Sequence, residues 1–186
     1  MASALEIGLN QALHVREERL STRHDACRLL YVSDIHLRKG RSDWLCRQVL
    51  DAVTRGNPDV VLLGGDLVDR ASELIALSEL VGTLREVGPV LAIAGNHDLQ
   101  VGIDRVREAV LHGGGHWIHD GVARVTHGKR VIAISGPETA PYVSERQYIT
   151  AFCVSVYERT PYGSFTGERS VCSAAIELSG ALLLFK

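Results

Sequence analysis

No pair of cysteines in this sequence has metal-type or disulfide-type spacing. Cys27, Cys46, Cys153 and Cys172 are scattered, without a C-x-x-C pair. That argues against a zinc knuckle or a disulfide framework, and for ordinary buried thiols in a reducing compartment. Excess charge is missing too. Twenty Lys and Arg against 22 Asp and Glu leave a net −2, so the balance does not point to a polyanion such as nucleic acid. Long apolar runs are lacking. The most apolar late segment, "VCSAAIELSGALLLF", contains Glu177 and falls short of the ~20 residues a membrane span needs. The N-terminal stretch has Glu6 inside its apolar part, unlike a secretory signal. No glycine-rich phosphate loop follows the first strand-like run, which argues against a nucleotide-binding α/β domain. The expectation is a soluble, cytoplasmic chain of 186 residues, long enough for one domain with a real core.

What is present is a rhythm. Residues 1–27 are polar and weakly helical, an N-terminal extension. From residue 28, short apolar runs alternate with amphipathic stretches. "RLLYVS" (28–33), "DVVLLGG" (59–65) and "PVLAIAG" (89–95) read as buried strands. Between them, "RSDWLCRQVLDAVTRG" (41–56) carries Trp44, Leu45, Val49, Leu50 and Val53 at helical spacing, with Ser42 as N-cap and Gly56 as stop. "SELIALSELVGTLREVG" (72–88) and "GIDRVREAVLHGGG" (102–115) are further helices. Strand-helix alternation at this period predicts a parallel sheet with right-handed crossovers. "HWIHD", "VARVT" and "RVIAIS" then read as an antiparallel meander, broken at Asp120-Gly121 and His127-Gly128.

The three predicted parallel strands end in polar clusters: Asp34-Ile35-His36, then Asp66 and Asp69 in "GGDLVDR", then Asn96-His97-Asp98. Ligands of open parallel sheets sit outside the carboxyl ends of the strands, so all three clusters are expected on one rim. Asp34 and His36, two apart, point the same way if the backbone is extended. Imidazole, carboxylate and amide oxygen together suit a divalent ion. Gly64, Gly65 and Gly95 let backbone approach backbone there.

In this order and at this spacing, "DIH", "GDLVDR" and "GNHD" resemble the calcineurin-like metallophosphoesterase family. The resemblance runs from about residue 28 to 98 and more loosely to about 135. It implies an α/β sandwich: a βαβαβ half, then the meander, with two divalent ions (Mn²⁺, Fe²⁺, Zn²⁺ or Mg²⁺). It implies Asp34 and His36 on the first ion, Asp66 bridging, and Asn96 on the second. It places His97 beside the scissile phosphate, Asp98 as its orienting partner, and Asp69 behind the ligands or as a helix cap. The implied activity is hydrolysis of a small phosphomonoester or phosphodiester by a metal-bound hydroxide. Two such ions lower the pKa of water from 15.7 to about 7 and neutralise phosphoryl charge.

Several residues have quieter readings. Arg38, Lys39 and Arg41 read first as a solvated basic loop, with contacts to substrate phosphate as the alternative, and Arg70 is a further candidate for such a contact. His14, His24 and His112 read as surface residues, and Trp44 as core. The sequence also departs from the family, which supplies a later strand histidine and a G-H-x-H motif. Here no His follows His127 and no Asp follows Asp120, while all three Phe and four of five Tyr lie beyond residue 136. Residues 28–136 are therefore expected to form the metallophosphoesterase-like domain. Residues 137–186 are expected to be an atypical tail, truncated, frame-shifted or disordered. The alternative to an enzyme is an impaired remnant or a binding scaffold of the same fold.

Overall fold

The computed structural model describes residues 27–119, 121–127 and 130–135, together with the backbone of strands His14–Glu18, Cys153–Arg159, Phe165–Cys172 and Ala181–Phe185. The rest of the 1–27 extension and of the 137–186 tail lies outside the described residues.

In chain order the strands are β1 (His14–Glu18), β2 (Leu29–Val32), β3 (Val60–Leu63), β4 (Val90–Ala92), β5 (His116–Trp117), β6 (Val122–His127), β7 (Arg130–Ser135), β8 (Cys153–Arg159), β9 (Phe165–Cys172) and β10 (Ala181–Phe185). The helices are α1 (Ser42–Gly56), α2 (Leu74–Arg85), α3 (Asn96–Val101) and α4 (Ile103–His112), with a 3₁₀ turn at Ala71–Glu73 before α2. One sheet has the order β1-β10-β2-β3-β4-β5; the other is β6-β7-β8-β9. Strands β2 to β5 pair in parallel.

The parallel strands are apolar on both faces because both faces are covered. Leu30, Val32, Val61, Leu63, Val90 and Ala92 pack with α1, α2 and α4 in one core. The alternate residues, Leu29, Val60, Leu62, Leu91 and Ile93, pack against Ile132 and Ile134 of the second sheet. Each such side chain, fully buried, is worth about 1.5–3 kcal/mol. The period-2 alternation therefore holds helices on one side and a sheet on the other, an α/β sandwich.

Three local expectations are corrected. "HWIHD" does not open the meander: His116–Trp117 pairs in parallel with β4, as Leu91↔His116 and Ala92↔Trp117. The turn after α4 returns the chain to the sheet edge for one more strand-helix-strand step, and the meander begins at Val122. Trp44 is half-buried rather than core, with the Arg41 guanidinium 4.9 Å from its ring centroid. Ser42 is the first residue of α1 rather than its cap; the cap position is Arg41, with no side-chain capping bond.

Helix α1 ends after Gly56, where Asn57 adopts φ 41°, ψ 61° and its amide donates to Val53 O. Left-handed backbone disfavours a Cβ unless the residue is Asn, Asp or Gly. Asn57→Ala is expected to lower stability by about 1 kcal/mol, while Asn57→Gly leaves it equal or slightly higher. Urea unfolding of both variants checks this.

Candidate metal centre

The β2–β3 ladder does not stop where the strands do. Asp34 N donates to Gly65 O (3.1 Å), His36 N to Asp66 O (2.9 Å), Leu37 N to Leu67 O (2.9 Å) and Asp69 N to Leu37 O (3.0 Å). The "DIH" and "GDLVDR" loops therefore run side by side. The third loop is pressed onto the second. A Cβ on Gly65 would lie 2.5 Å from Gly95 N, and one on Gly95 would overlap the Asp66 carboxylate. Only glycine lets these two loops touch.

Within this frame Asp34, His36 and Asp66 have φ of 56°, 48° and 52°. Three non-glycine residues in the left-handed region are costly, and such strain concentrates at functional sites. The finding also corrects the extended-backbone reading of Asp34 and His36. Their side chains do converge, with His36 Nε2 3.9 Å from Asp34 Oδ1, but through turns rather than strand alternation.

Donor atoms of His36, Asp66 and His97, all half-buried, lie within 4.8 Å of one another. The His36 and His97 rings meet edge-to-face at 4.5 Å between centroids. Asp69 Oδ1 lies 2.6 Å from His36 Nδ1 and 3.5 Å from His97 Nδ1. An ionised carboxylate only accepts, so the contact with Asp69 calls for a proton on His36 Nδ1 and leaves Nε2 as the ring atom turned toward Asp34. A carboxylate behind an imidazole in this way fixes the tautomer of a metal-binding histidine. Asp66 Oδ1 meanwhile accepts from the His97 amide at 2.8 Å, which ties the third loop to the second. Asn96, half-buried, begins α3 immediately beside His97.

Asp98 is not the partner of the His97 ring. It is fully buried, its Oδ1 accepting from the amides of Leu67 (2.9 Å) and Val68 (3.3 Å) and its Oδ2 from the amide of Gly95 (2.9 Å). Burial pushes its carboxyl above the usual range and the nearby Asp66 charge adds to this, while the three amides pull the other way. The Asp69 carboxylate is the one that faces both histidines, a relation that spacing alone does not reveal. Arg38 is half-buried and Arg70 exposed; they directly follow Leu37, which is buried in the core, and Asp69, which faces the two histidines. His116 and His119 are exposed and outside the donor cluster, and the side chain of His127 lies outside the described residues. Cys46, half-buried, has its thiol pushed up to about 11 by burial and by the charges of Asp43 and Glu79, as an inert structural thiol should. No helix among the described residues is long and apolar enough to cross a membrane.

The fold and this rim define an α/β sandwich with a carboxylate-imidazole site where its parallel strands end. The sequence matches the calcineurin-like phosphoesterase family over residues 27–173, and the chain belongs to that family. It is also similar to phosphodiesterase YaeI of Escherichia coli (strain K12), 31% identical over 80 residues. That stretch covers 42% of this chain and 30% of the relative.

Proposed function

We propose that this chain is a divalent-metal-dependent phosphoesterase, acting on a small phosphomonoester or phosphodiester. The observation that carries the reading is the convergence of His36, Asp66 and His97 donors within 4.8 Å, with Asp69 buttressing the imidazoles from behind.

The residues present fit such an ion. His36 Nε2 and the Asp34 carboxylate face each other, and Asp66 lies in the same cluster. In the proposed assignment Asp34, His36 and Asp66 hold the first cation, and Asp66 and Asn96 take part in holding a second. Mn²⁺, Fe²⁺, Zn²⁺ and Mg²⁺ all suit this mixture of donors. When bound, the cations supply Lewis acidity, neutralising phosphoryl charge and making water more acidic.

The chain's own groups do the rest. His97, more exposed than His36, stands beside the scissile phosphate and gives a proton to the leaving oxygen. Asp69 holds both rings by their Nδ1 atoms, so that their Nε2 atoms face the reaction. Asp98 plays no part in proton transfer in this scheme; it fixes the third loop against the second. Arg38 and Arg70, at the rim, contact the anionic substrate.

The test is elemental analysis of the purified chain with a chromogenic monoester and diester assay. Turnover that requires Mn²⁺, is lost with EDTA and returns on re-addition supports the enzyme. A chain that holds no cation and turns over neither ester is the binding scaffold instead, the reading that the missing G-H-x-H motif favours.

A further inference from the structure

Glu73 is a carboxylate with 9% exposure, outside every cluster discussed so far. Its Oε2 accepts from Ser42 Oγ at 2.5 Å and its Oε1 from Ser72 Oγ at 2.8 Å. Burying a carboxylate is costly unless its oxygens are satisfied, and hydroxyls from two different segments satisfy these. Ser42 is the first residue of α1 and is itself buried. Its hydroxyl also lies 3.1 Å from Arg38 O.

The position of this pair in the chain gives it meaning. Leu37 pairs with Val68 in an isolated parallel bridge, and its amide and carbonyl bond Leu67 and Asp69. From there the two segments diverge, one as the basic loop 38–41, the other through Arg70 into the 3₁₀ turn. The Ser42–Glu73 bond rejoins them. Together the two ties close a ring, and the 2.6 Å contact between His36 and Asp69 lies at its inner end. The cap position of α1 has no side-chain bond of its own, so Glu73 also places negative charge at a helix start, where the backbone dipole favours it.

We propose that Glu73, through Ser42, is a positioning residue for the metal centre: it locks the loop carrying Asp34 and His36 in register with the loop carrying Asp66 and Asp69. The proposal rests on the metal-site reading above for its consequence, but not for its geometry. Glu73 touches neither cation nor substrate; its effect travels through the spacing of the two loops.

The 186-residue chain is tested as wild type, Glu73→Ala, Ser42→Ala and Glu73→Gln. The first readout uses metal-free protein: amide hydrogen exchange at Leu37 and Asp69, with Val53 and Val110 as interior references. Glu73→Ala and Ser42→Ala are expected to speed exchange at Leu37 and Asp69 by about tenfold while the references hold, because opening of the ring is local. The second readout is Mn²⁺ affinity by calorimetry, expected to fall about tenfold, as for other groups behind metal ligands. Glu73→Gln keeps an oxygen for Ser42 Oγ and is expected to recover most of both effects. Unchanged exchange at Leu37 and Asp69 in Glu73→Ala overturns the proposal. So does uniform acceleration at all four amides, which marks a merely structural residue. If the wild type binds no Mn²⁺ but the local exchange pattern is as expected, the metal reading falls and the loop register stands.

Discussion

Asp66→Asn is expected to cut metal-dependent hydrolysis by about 10²–10³-fold while leaving the fold intact. The substitution isolates charge from shape. Asp66 sits at φ 52°, a conformation that asparagine adopts readily. Its Oδ1 accepts from the His97 amide at 2.8 Å, and an asparagine oxygen can keep that bond. Keeping it turns the amide NH₂ toward the position a cation would occupy, so a donor replaces an anionic ligand. The same change removes a charge that acts on buried Asp98, so the melting temperature should stay level or rise. The measurement pairs initial rates against a chromogenic diester across a Mn²⁺ titration with a thermal melt of metal-free protein. Undiminished rates at low Mn²⁺ would remove Asp66 from the proposed metal site.

The parts of this molecule that are legible in its sequence are those set by period. Val60 to Leu63, buried on both faces, could be placed by an unbroken apolar run. Helix α1 could be placed by the spacing of Val49 and Val53 on its buried face. The order of the polar clusters then followed from topology, since parallel strands deliver their ends to one rim. What escaped was set by partners distant in sequence. Asp98 looks like a neighbour of His97 because the two are adjacent in the chain, yet α3 turns it inward to amides about thirty positions earlier. The left-handed backbone of Asp34 and His36 goes together with amide bonds to Gly65 and Asp66, which no local pattern reports. Glu73 follows the "GDLVDR" motif in a polar stretch and gives no sign that Ser42, 31 positions earlier, will bury it. His116–Trp117 carries too few residues for its period to distinguish a parallel edge from a hairpin arm.

The stability of the rim itself should depend most on Asp98. Its two oxygens take three buried amides from two loops, Leu67 and Val68 on one and Gly95 on the other. Asp98→Ala leaves those N–H groups without their acceptor, each at about 1–3 kcal/mol. Part of that is offset, because the burial cost of the carboxylate, visible in its raised pKa, also disappears. A net loss of about 3 kcal/mol is expected, or a fall in melting temperature of about 6–12 °C for a chain of this size. Asp98→Asn should lie between the two. Its oxygen can serve Leu67 and Val68 as Oδ1 does now, but its NH₂ would then face the Gly95 N–H, donor against donor. The order Asp98 above Asp98→Asn above Asp98→Ala therefore separates an acceptor of amides from a group that orients an imidazole. If Asp98 acted chiefly through His97, both variants would lose activity and neither would lose much stability. Thermal and urea unfolding of the three metal-free proteins decide between them, and a melt of Asp98→Ala within a degree or two of the parent would overturn the amide-acceptor account.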